Sequence, residues 1–242
     1  RRLPDAGPPA DEAAAAAAVR TSVAPALALR AHASDAYCVA CHPTQPLLAS
    51  GGFDGGLVLL DAATGATVSA LCDRGPSMCA LAFGDGPAAL LASGGKDAAV
   101  RLWDVRARLS LRLLGGSGQM GDVTSVVFDG AATQRMLVAS KDNSVRLWAR
   151  RAGRPLKTYT GHQNIARHFV RATFGPGGVV MSGSDDGDVV LWGCESATPC
   201  ERLRHAHTGT AYGAAWSPAA GLIATCGDDG LVRTWMARLP GP

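Results

Sequence analysis

The sequence has few aromatic residues (5%) and few charged residues (18%), against 47% hydrophobic residues. No run of 18 or more apolar residues occurs, so we expect no transmembrane helix. The net charge of +3 is spread along 242 residues without a basic block, so we expect no nucleic-acid binding. The seven cysteines are odd in number and irregularly spaced. This favours free thiols in an intracellular compartment, cytoplasmic or nuclear, over a disulfide framework.

Catalytic and metal-binding motifs are also lacking. The sequence has no nucleophile elbow, no phosphate-binding loop and no dinucleotide-binding glycine motif in a suitable context. The Cys38-x-x-Cys41-His42 run matches the haem-attachment pattern, but it lies in a predicted strand. Residues i and i+3 of a strand face opposite sides, so the two sulfurs diverge. We therefore expect no cofactor, no metal and no enzymatic activity.

A segment repeats five times. Each copy has an apolar run of small residues, a turn with an aspartate, and an alternating strand that ends in tryptophan, or in Leu60 in the first copy. The turn aspartates are Asp54, Asp97, Asp142, Asp186 and Asp229, with spacings of 43, 45, 44 and 43 residues. The residues at the tryptophan position, Leu60, Trp103, Trp148, Trp192 and Trp235, repeat the same spacings. A further strand precedes each copy and a fourth follows, so the period predicts four-stranded antiparallel units in an all-β fold.

These repeats resemble those of the WD40 family over roughly residues 26–236, including the Gly161-His162 dipeptide. The resemblance implies a β-propeller in which a His, a Ser or Thr, the turn Asp and the Trp form hydrogen bonds within a blade. Two blades match fully, with His162, Ser182, Asp186, Trp192 and with His207, Thr225, Asp229, Trp235. The first blade keeps His32, Ser50 and Asp54 but has Leu60, the second has Arg74 near the His position, and the third has Gln119 and Val138.

The domain boundaries follow from the repeat. Residues 1–22 are predicted to be an Ala- and Pro-rich leader, disordered or with a short helix, and 23–242 a propeller. The predicted blades span about 32–71, 74–114, 119–160, 162–205 and 207–236, and residues 25–30 are predicted to supply the strand that completes the last blade. Since the family usually has seven blades, two N-terminal blades are missing or the ring closes with five; the first alternative is favoured.

Function in a propeller resides in the exposed loops. The narrow face is formed by the loop before each first strand and by the Asp turns. Residues expected to bind a partner there are Tyr37, Phe53, Lys96, Lys141, Asp185, Tyr212 and Asp228. The face should be basic at the second and third blades and acidic at the fourth and fifth. An enlarged loop, 161–174, adds Arg167 as a candidate contact.

The predicted function is that of a protein–protein interaction scaffold, a monomeric propeller within an intracellular complex. A more specific alternative is suggested by Trp103-Asp104-Val105-Arg106. This run resembles the WDxR box of substrate receptors of cullin–RING ubiquitin ligases, in which the arginine contacts the ligase adaptor. An enzyme or a haem or metal carrier is the remaining alternative.

Overall fold

The structure is a computed structural model that describes residues 27–72, 76–84, 90–115, 121–130, 135–149, 154–165 and 168–236. The described residues form five antiparallel sheets that follow one another along the chain. Sheets 1 to 4 have four strands each, in sequential order, and sheet 5 has three. The prediction of an all-β propeller with five recognisable blades is confirmed.

The strands have the following bounds. Sheet 1 contains β1 (Ala36–Cys41), β2 (Leu47–Gly52), β3 (Leu57–Asp61) and β4 (Thr67–Cys72). Sheet 2 contains β5 (Met78–Phe83), β6 (Leu90–Gly95), β7 (Ala99–Asp104) and β8 (Leu109–Gly115). Sheet 3 contains β9 (Val123–Phe128), β10 (Arg135–Ser140), β11 (Ser144–Ala149) and β12 (Pro155–Tyr159). Sheet 4 contains β13 (Ala172–Phe174), β14 (Val179–Gly183), β15 (Val189–Gly193) and β16 (Pro199–Leu203), with a short 3-10 helix at Pro176–Gly178. Sheet 5 contains β17 (Ala211–Ser217), β18 (Leu222–Gly227) and β19 (Val232–Met236).

The turn between the second and third strands has the same conformation in every sheet. The residue after the turn aspartate has a positive φ in all five: Gly55, Ala98, Asn143, Gly187 and Gly230. Glycine and asparagine adopt this conformation with little strain, and it reverses the chain tightly. The repeated Asp turn therefore sets the register of each hairpin and brings the residue before the aspartate to the same edge of each sheet.

Four apolar clusters hold the sheets together, and each joins two sheets that are neighbours in sequence. Ala49 and Leu57 of sheet 1 pack with Met78 and Leu91 of sheet 2. The other clusters join sheets 2 and 3, sheets 3 and 4, and sheets 4 and 5. The second strands of sheets 2, 3 and 4 lie in the middle of this series of sheets and are almost fully buried, which explains why they are continuous runs of small and apolar residues. The first strands line a central cavity of about 370 Å³.

Sheet 5 has one uncovered face. The position three residues before the tryptophan is fully buried in sheets 1 to 4, where it is Leu57, Val100, Val145 and Val189. In sheet 5 the same position is Val232, which is 72% exposed. The face of β1 is also open, with Val39 67% exposed. Among the described residues, no apolar cluster joins sheet 5 to sheet 1.

The closing strand expected at residues 25–30 stays a prediction, because the structure describes only part of it. Residues 27–30, the described part of the predicted strand 25–30, form no strand, and the described part of sheet 5 has three strands instead of four. The predicted leader, 1–22, and residues 25–26 lie outside the described residues, as do Arg74 and Gln119. The local pattern of PALALR is strand-like, but pairing depends on a partner edge that local sequence does not specify.

Candidate functional site: an aromatic and lysine surface at the Asp turns

One backbone hydrogen bond positions the residue before each turn aspartate. The amides of Phe53, Lys96, Lys141, Asp185 and Asp228 donate to the carbonyls of Asp35, Ser77, Asp122, Gln163 and Thr210, over distances of 2.8 to 3.0 Å. Each bond joins the Asp turn to the loop before the first strand of the same sheet. Because this bond is repeated in every sheet, the five side chains project from equivalent, fixed points of the narrow face.

In sheets 1 and 5 the turn aspartate is bonded to a buried histidine. His207 Nδ1 lies 2.8 Å from Asp229 Oδ1, and His207 Nε2 lies 2.9 Å from Thr225 Oγ1. Trp235 Nε1 donates to the same threonine hydroxyl over 3.0 Å. In sheet 1, His32 bridges Ser50 and Asp54 in the same way. These Ser or Thr, His and Asp sets resemble a hydrolytic triad, but the hydroxyls are buried and engaged, so they position the turn.

The predicted network is not formed in sheet 4. His162 is buried, yet neither of its ring nitrogens has a hydrogen-bond partner among the described residues. Ser182 donates instead to the Gly183 carbonyl, and Trp192 Nε1 donates to the Thr160 carbonyl over 2.9 Å. The guanidinium of Arg202 occupies this region: it lies 2.9 Å from the Asp188 carboxylate and 3.4 Å from the Asp186 carboxylate, and it also donates to the Gly161 carbonyl.

An arginine four residues after the turn aspartate replaces or supplements the histidine. Arg101 pairs with Asp97 at 2.6 Å, Arg146 with Asp142 at 2.7 Å and Arg233 with Asp229 at 2.6 Å. The Arg233 bond contributes most to holding the pKa of the Asp229 carboxyl well below its usual range. Sequence reasoning missed these pairs, although an Asp-x-x-x-Arg spacing recurs in three repeats and could have indicated them. Trp103 and Trp148 are buried beside these turns, in sheets 2 and 3.

Three aromatic rings and two lysines form a continuous surface on the narrow face, here called the aromatic–lysine surface. The Tyr37 ring lies 5.9 Å from the Phe53 ring and 5.7 Å from the Phe169 ring, between centroids. Lys96 Nζ lies 4.2 Å above Phe53, and Lys141 Nζ lies 4.8 Å above Phe169. Phe53 and Tyr37 are 43% and 40% exposed. The arrangement combines exposed apolar area with fixed positive charge, as in many protein interfaces.

The sequence did not indicate Phe169 as a site residue, although the loop that carries it, 161–174, was predicted to contact a partner. The loop is anchored to sheet 3, because Asn164 Nδ2 donates to Thr124 Oγ1 over 3.2 Å. That hydroxyl in turn donates to the Val170 carbonyl over 2.7 Å. Asn164 and Val170 are fully buried. This anchoring holds Phe169 against Tyr37, a contact that sequence spacing does not reveal. Arg167, the predicted contact in this loop, lies outside the described residues.

The acidic side of the narrow face uses its carboxylates internally. Tyr212 donates its hydroxyl to Asp228, which lowers the pKa of that carboxyl and raises the pKa of the phenol. The Tyr212 hydroxyl also lies 3.0 Å from His168 Nδ1. Asp185 accepts the Ile165 amide over 2.8 Å. The residue types of this face are therefore divided into a basic and an acidic half, as predicted from the sequence. The carboxylates of the acidic half, however, form hydrogen bonds within the protein.

The remaining candidates lie elsewhere. Arg106 is exposed on the turn between β7 and β8, at the opposite end of β7 from Lys96. Cys38 Sγ is directed to the Gly51 carbonyl and burial raises the pKa of its thiol to about 12, whereas Cys41 is exposed. Among the described residues no group of three or more His, Cys, Asp or Glu could hold a metal. In the same part of the chain no helix is long and apolar enough to cross a membrane.

Comparison with known families finds the repeat model "WD domain, G-beta repeat" at residues 24–61, 110–149, 153–193 and 198–235, which together cover more than half of the chain. The first three strands of sheet 2 lie entirely between the first two matches, although they form a complete sheet with β8. This sheet lacks the histidine of the usual network and uses the Asp97–Arg101 pair.

Several curated proteins are similar to the chain. Polycomb protein esc of Drosophila melanogaster is 26% identical over 174 residues, covering 62% of this chain and 41% of that protein. A guanine nucleotide-binding protein subunit beta of Zea mays is 36% identical over 107 residues, covering 43% and 27%. Telomerase protein component 1 of Mus musculus is 34% identical over 124 residues, covering 51% and 5%. The chain therefore spans less than half the length of each relative.

Among solved structures, the computationally designed Ika8 protein superposes with a TM-score of 0.66 at 22% identity. The match covers 81% of this chain and 57% of the designed protein. At this identity the likeness concerns the fold alone.

Proposed function

Because the chain belongs to the WD40-repeat family, we propose that it is a protein–protein interaction scaffold whose aromatic–lysine surface binds a partner protein. The observation that carries this proposal is the contact of Tyr37 with both Phe53 and Phe169. Two of these three rings are two-fifths exposed on the narrow face. Exposed, preorganised aromatic side chains lose little conformational entropy on binding and commonly act as interface anchors.

The chemistry of the described residues supports binding over catalysis. The hydroxyls near histidine and aspartate are buried and already hydrogen-bonded. The paired carboxylates Asp185-Asp186 and Asp228-Asp229 are bonded to backbone amides, arginines or Tyr212. A general acid or base needs a free proton-transfer position, whereas the hydrogen bonds of these groups hold the turns and loops in place.

The test is affinity purification of the tagged chain from cells, followed by mass spectrometry. The test variant is Tyr37→Ala/Phe53→Ala, and the matched control is Leu109→Ala/Leu111→Ala, which removes two exposed apolar side chains from β8. We expect the test variant to lose proteins that the wild type and the control both recover, with thermal unfolding showing that both variants fold. Equal recovery by a folded test variant would contradict the proposal.

The ligase-receptor hypothesis is a second proposal, supported by the exposure of Arg106. Its backbone amide and that of Ala107 both donate to Asp104 Oδ1 over 2.9 Å, which orders the turn. Since Arg106 and Lys96 lie at opposite ends of β7, Arg106→Ala tests this role separately. Loss of a ligase adaptor from the purification, with other partners retained, would support it, and an unchanged set of proteins would reject it.

A further inference from the structure

We propose that the aromatic–lysine surface recognises an acidic peptide segment in which acidic residues flank an apolar side chain on both sides. This rests on the proposed function and adds the chemistry of the partner. The apolar side chain would lie on the exposed parts of Tyr37 and Phe53, and the acidic residues would bind Lys96 and Lys141.

The first argument is the availability of the two lysines. Within the described residues neither ammonium has a carboxylate within 4.0 Å, and each lies over an aromatic ring. The turn aspartates beside them, Asp97 and Asp142, are neutralised by Arg101 and Arg146. A ring face attracts an ammonium without occupying its three N–H donors, which stay able to bind an anion.

The second argument concerns the other charges near the rings. Arg171 is exposed and lines the cavity formed with Tyr37 and Phe169, which adds a third cation. Asp35 and Asp122 precede the first strands of sheets 1 and 3, and neither forms an ion pair with Lys96 or Lys141 in the described part of the chain. Two cations therefore lie over ring faces, and a third lines the cavity beside them.

The third argument separates an acidic ligand from a cationic one. Aromatic faces can also bind an ammonium group of a ligand, but here Lys96 and Lys141 already cover Phe53 and Phe169. A cationic segment would have to displace them and would be repelled by them. The acidic segment is instead attracted to both lysines, with Tyr37 between them.

The test uses three fluorescein-labelled peptides titrated against the purified chain and followed by anisotropy. The probe is GEEDFLDEEG. The two comparison peptides are GKKRFLRKKG, in which every charge is reversed, and GEEDGSDEEG, in which the apolar Phe-Leu pair is replaced. We expect the probe to bind best and to bind more weakly as salt is added. Lys96→Glu/Lys141→Glu should weaken it about tenfold or more, because two attractive contacts become repulsive. Lys157→Glu is the matched control, a charge reversal on β12 in the outer part of sheet 3.

The outcomes separate the two proposals. No saturable binding of the probe, equal or better binding of the basic peptide, or no effect of the double lysine change would overturn the acidic-peptide inference. In the cell purification, partners lost by Tyr37→Ala/Phe53→Ala but kept by Lys96→Glu/Lys141→Glu would uphold the surface and reject this partner chemistry. Partners kept by both variants would reject the proposed function itself.

Discussion

Gly94 lies so close to Val123, in the first strand of the next sheet, that a β-carbon at residue 94 would be 2.3 Å from Val123 Cγ1. The equivalent glycines of sheets 1 and 4 make comparably close approaches to the next sheet: a β-carbon on Gly51 would lie 2.9 Å from Met78 Cβ, and one on Gly183 would lie 2.1 Å from the Ala211 carbonyl oxygen. Sheet 5 has Cys226 at this position, and it is exposed. The residue at this position is thus small, Gly51, Gly94, Ala139 and Gly183, in the four sheets that are followed by another sheet.

Gly94→Ala should therefore destabilise the fold by about 2 kcal/mol, because overpacking forces two β-sheets apart. Cys226→Ala, at the equivalent position of sheet 5, should change the free energy of unfolding by less than about 0.5 kcal/mol. Urea denaturation of both variants measures the difference. An equal effect of the two changes would show that the spacing of sheets 2 and 3 does not depend on Gly94.

The uncovered face of sheet 5 can be tested with a matched pair of valines. Val189 is fully buried and Val232, at the same position of the next repeat, is 72% exposed. Val189→Thr should cost about 1–3 kcal/mol, because it buries an unpaired hydroxyl. Val232→Thr keeps the β-branched shape in solvent and should be nearly neutral. A large cost at Val232 would mean that another sheet or molecule covers this face in solution.

The turn of sheet 2 carries strain that a glycine should relieve. Ala98 has a φ of +59°, whereas the equivalent residues of sheets 1, 4 and 5 are glycines. Ala98→Gly should stabilise the chain by about 0.5 kcal/mol, since the relief of left-handed strain exceeds the added entropy of the unfolded chain. Gly55→Ala, which introduces the same strain in sheet 1, should destabilise it by about 1 kcal/mol. Chemical denaturation at constant pH compares the two.

His162 should make stability depend on pH. Burial lowers its pKa from 6.5 to about 4 in the folded protein. Above pH 6.5 this histidine is neutral in both the folded and the unfolded state. As the pH falls from 6.5 towards 4, the unfolded state binds a proton that the folded state does not, so stability is lost. Since one pKa unit corresponds to about 1.4 kcal/mol, the loss from this residue approaches ~3 kcal/mol.

The measurement is the free energy of unfolding of wild type and His162→Leu between pH 7.5 and 4. The carboxyls whose pKa is lowered in the folded protein, such as those of Asp142 and Asp229, are present in both proteins, so the difference between the two curves reports the change at residue 162. The wild type should lose more stability than the variant as the pH falls. Parallel curves would show that His162 binds a proton as readily in the folded state as in the unfolded state.

Much of the fold was predictable because the repeat is a local pattern. Period-two strands and an aspartate turn recur at 43 to 45 residues, and each turn needs a left-handed residue directly after the aspartate. The positions of Phe53, Lys96 and Lys141 before those turns followed from register alone. Hydrogen bonds between residues of one repeat, such as His207 with Thr225 and Asp229, depend on that same register.

The repeat pattern did not predict the side-chain hydrogen bonds of sheet 4. His162, Ser182, Asp186 and Trp192 match the family pattern as well as the corresponding residues of sheet 5 do. Arg202 reaches Asp186 from the fourth strand, and the pattern contains no residue at that place. Matching the motif therefore does not by itself specify the contacts of the turn aspartate.

By itself, the sequence determined the strands, the Asp turns and which residue types face the narrow edge, because these depend on local periodicity and turn chemistry. Only the tertiary structure decided which of those residues meet. Tyr37 contacts Phe169 across more than 130 residues of chain, and Lys96 covers a ring from the preceding sheet. The tertiary structure also decided that Val232 is exposed while Val189 is buried, since burial depends on a neighbouring sheet and not on the strand that carries the residue.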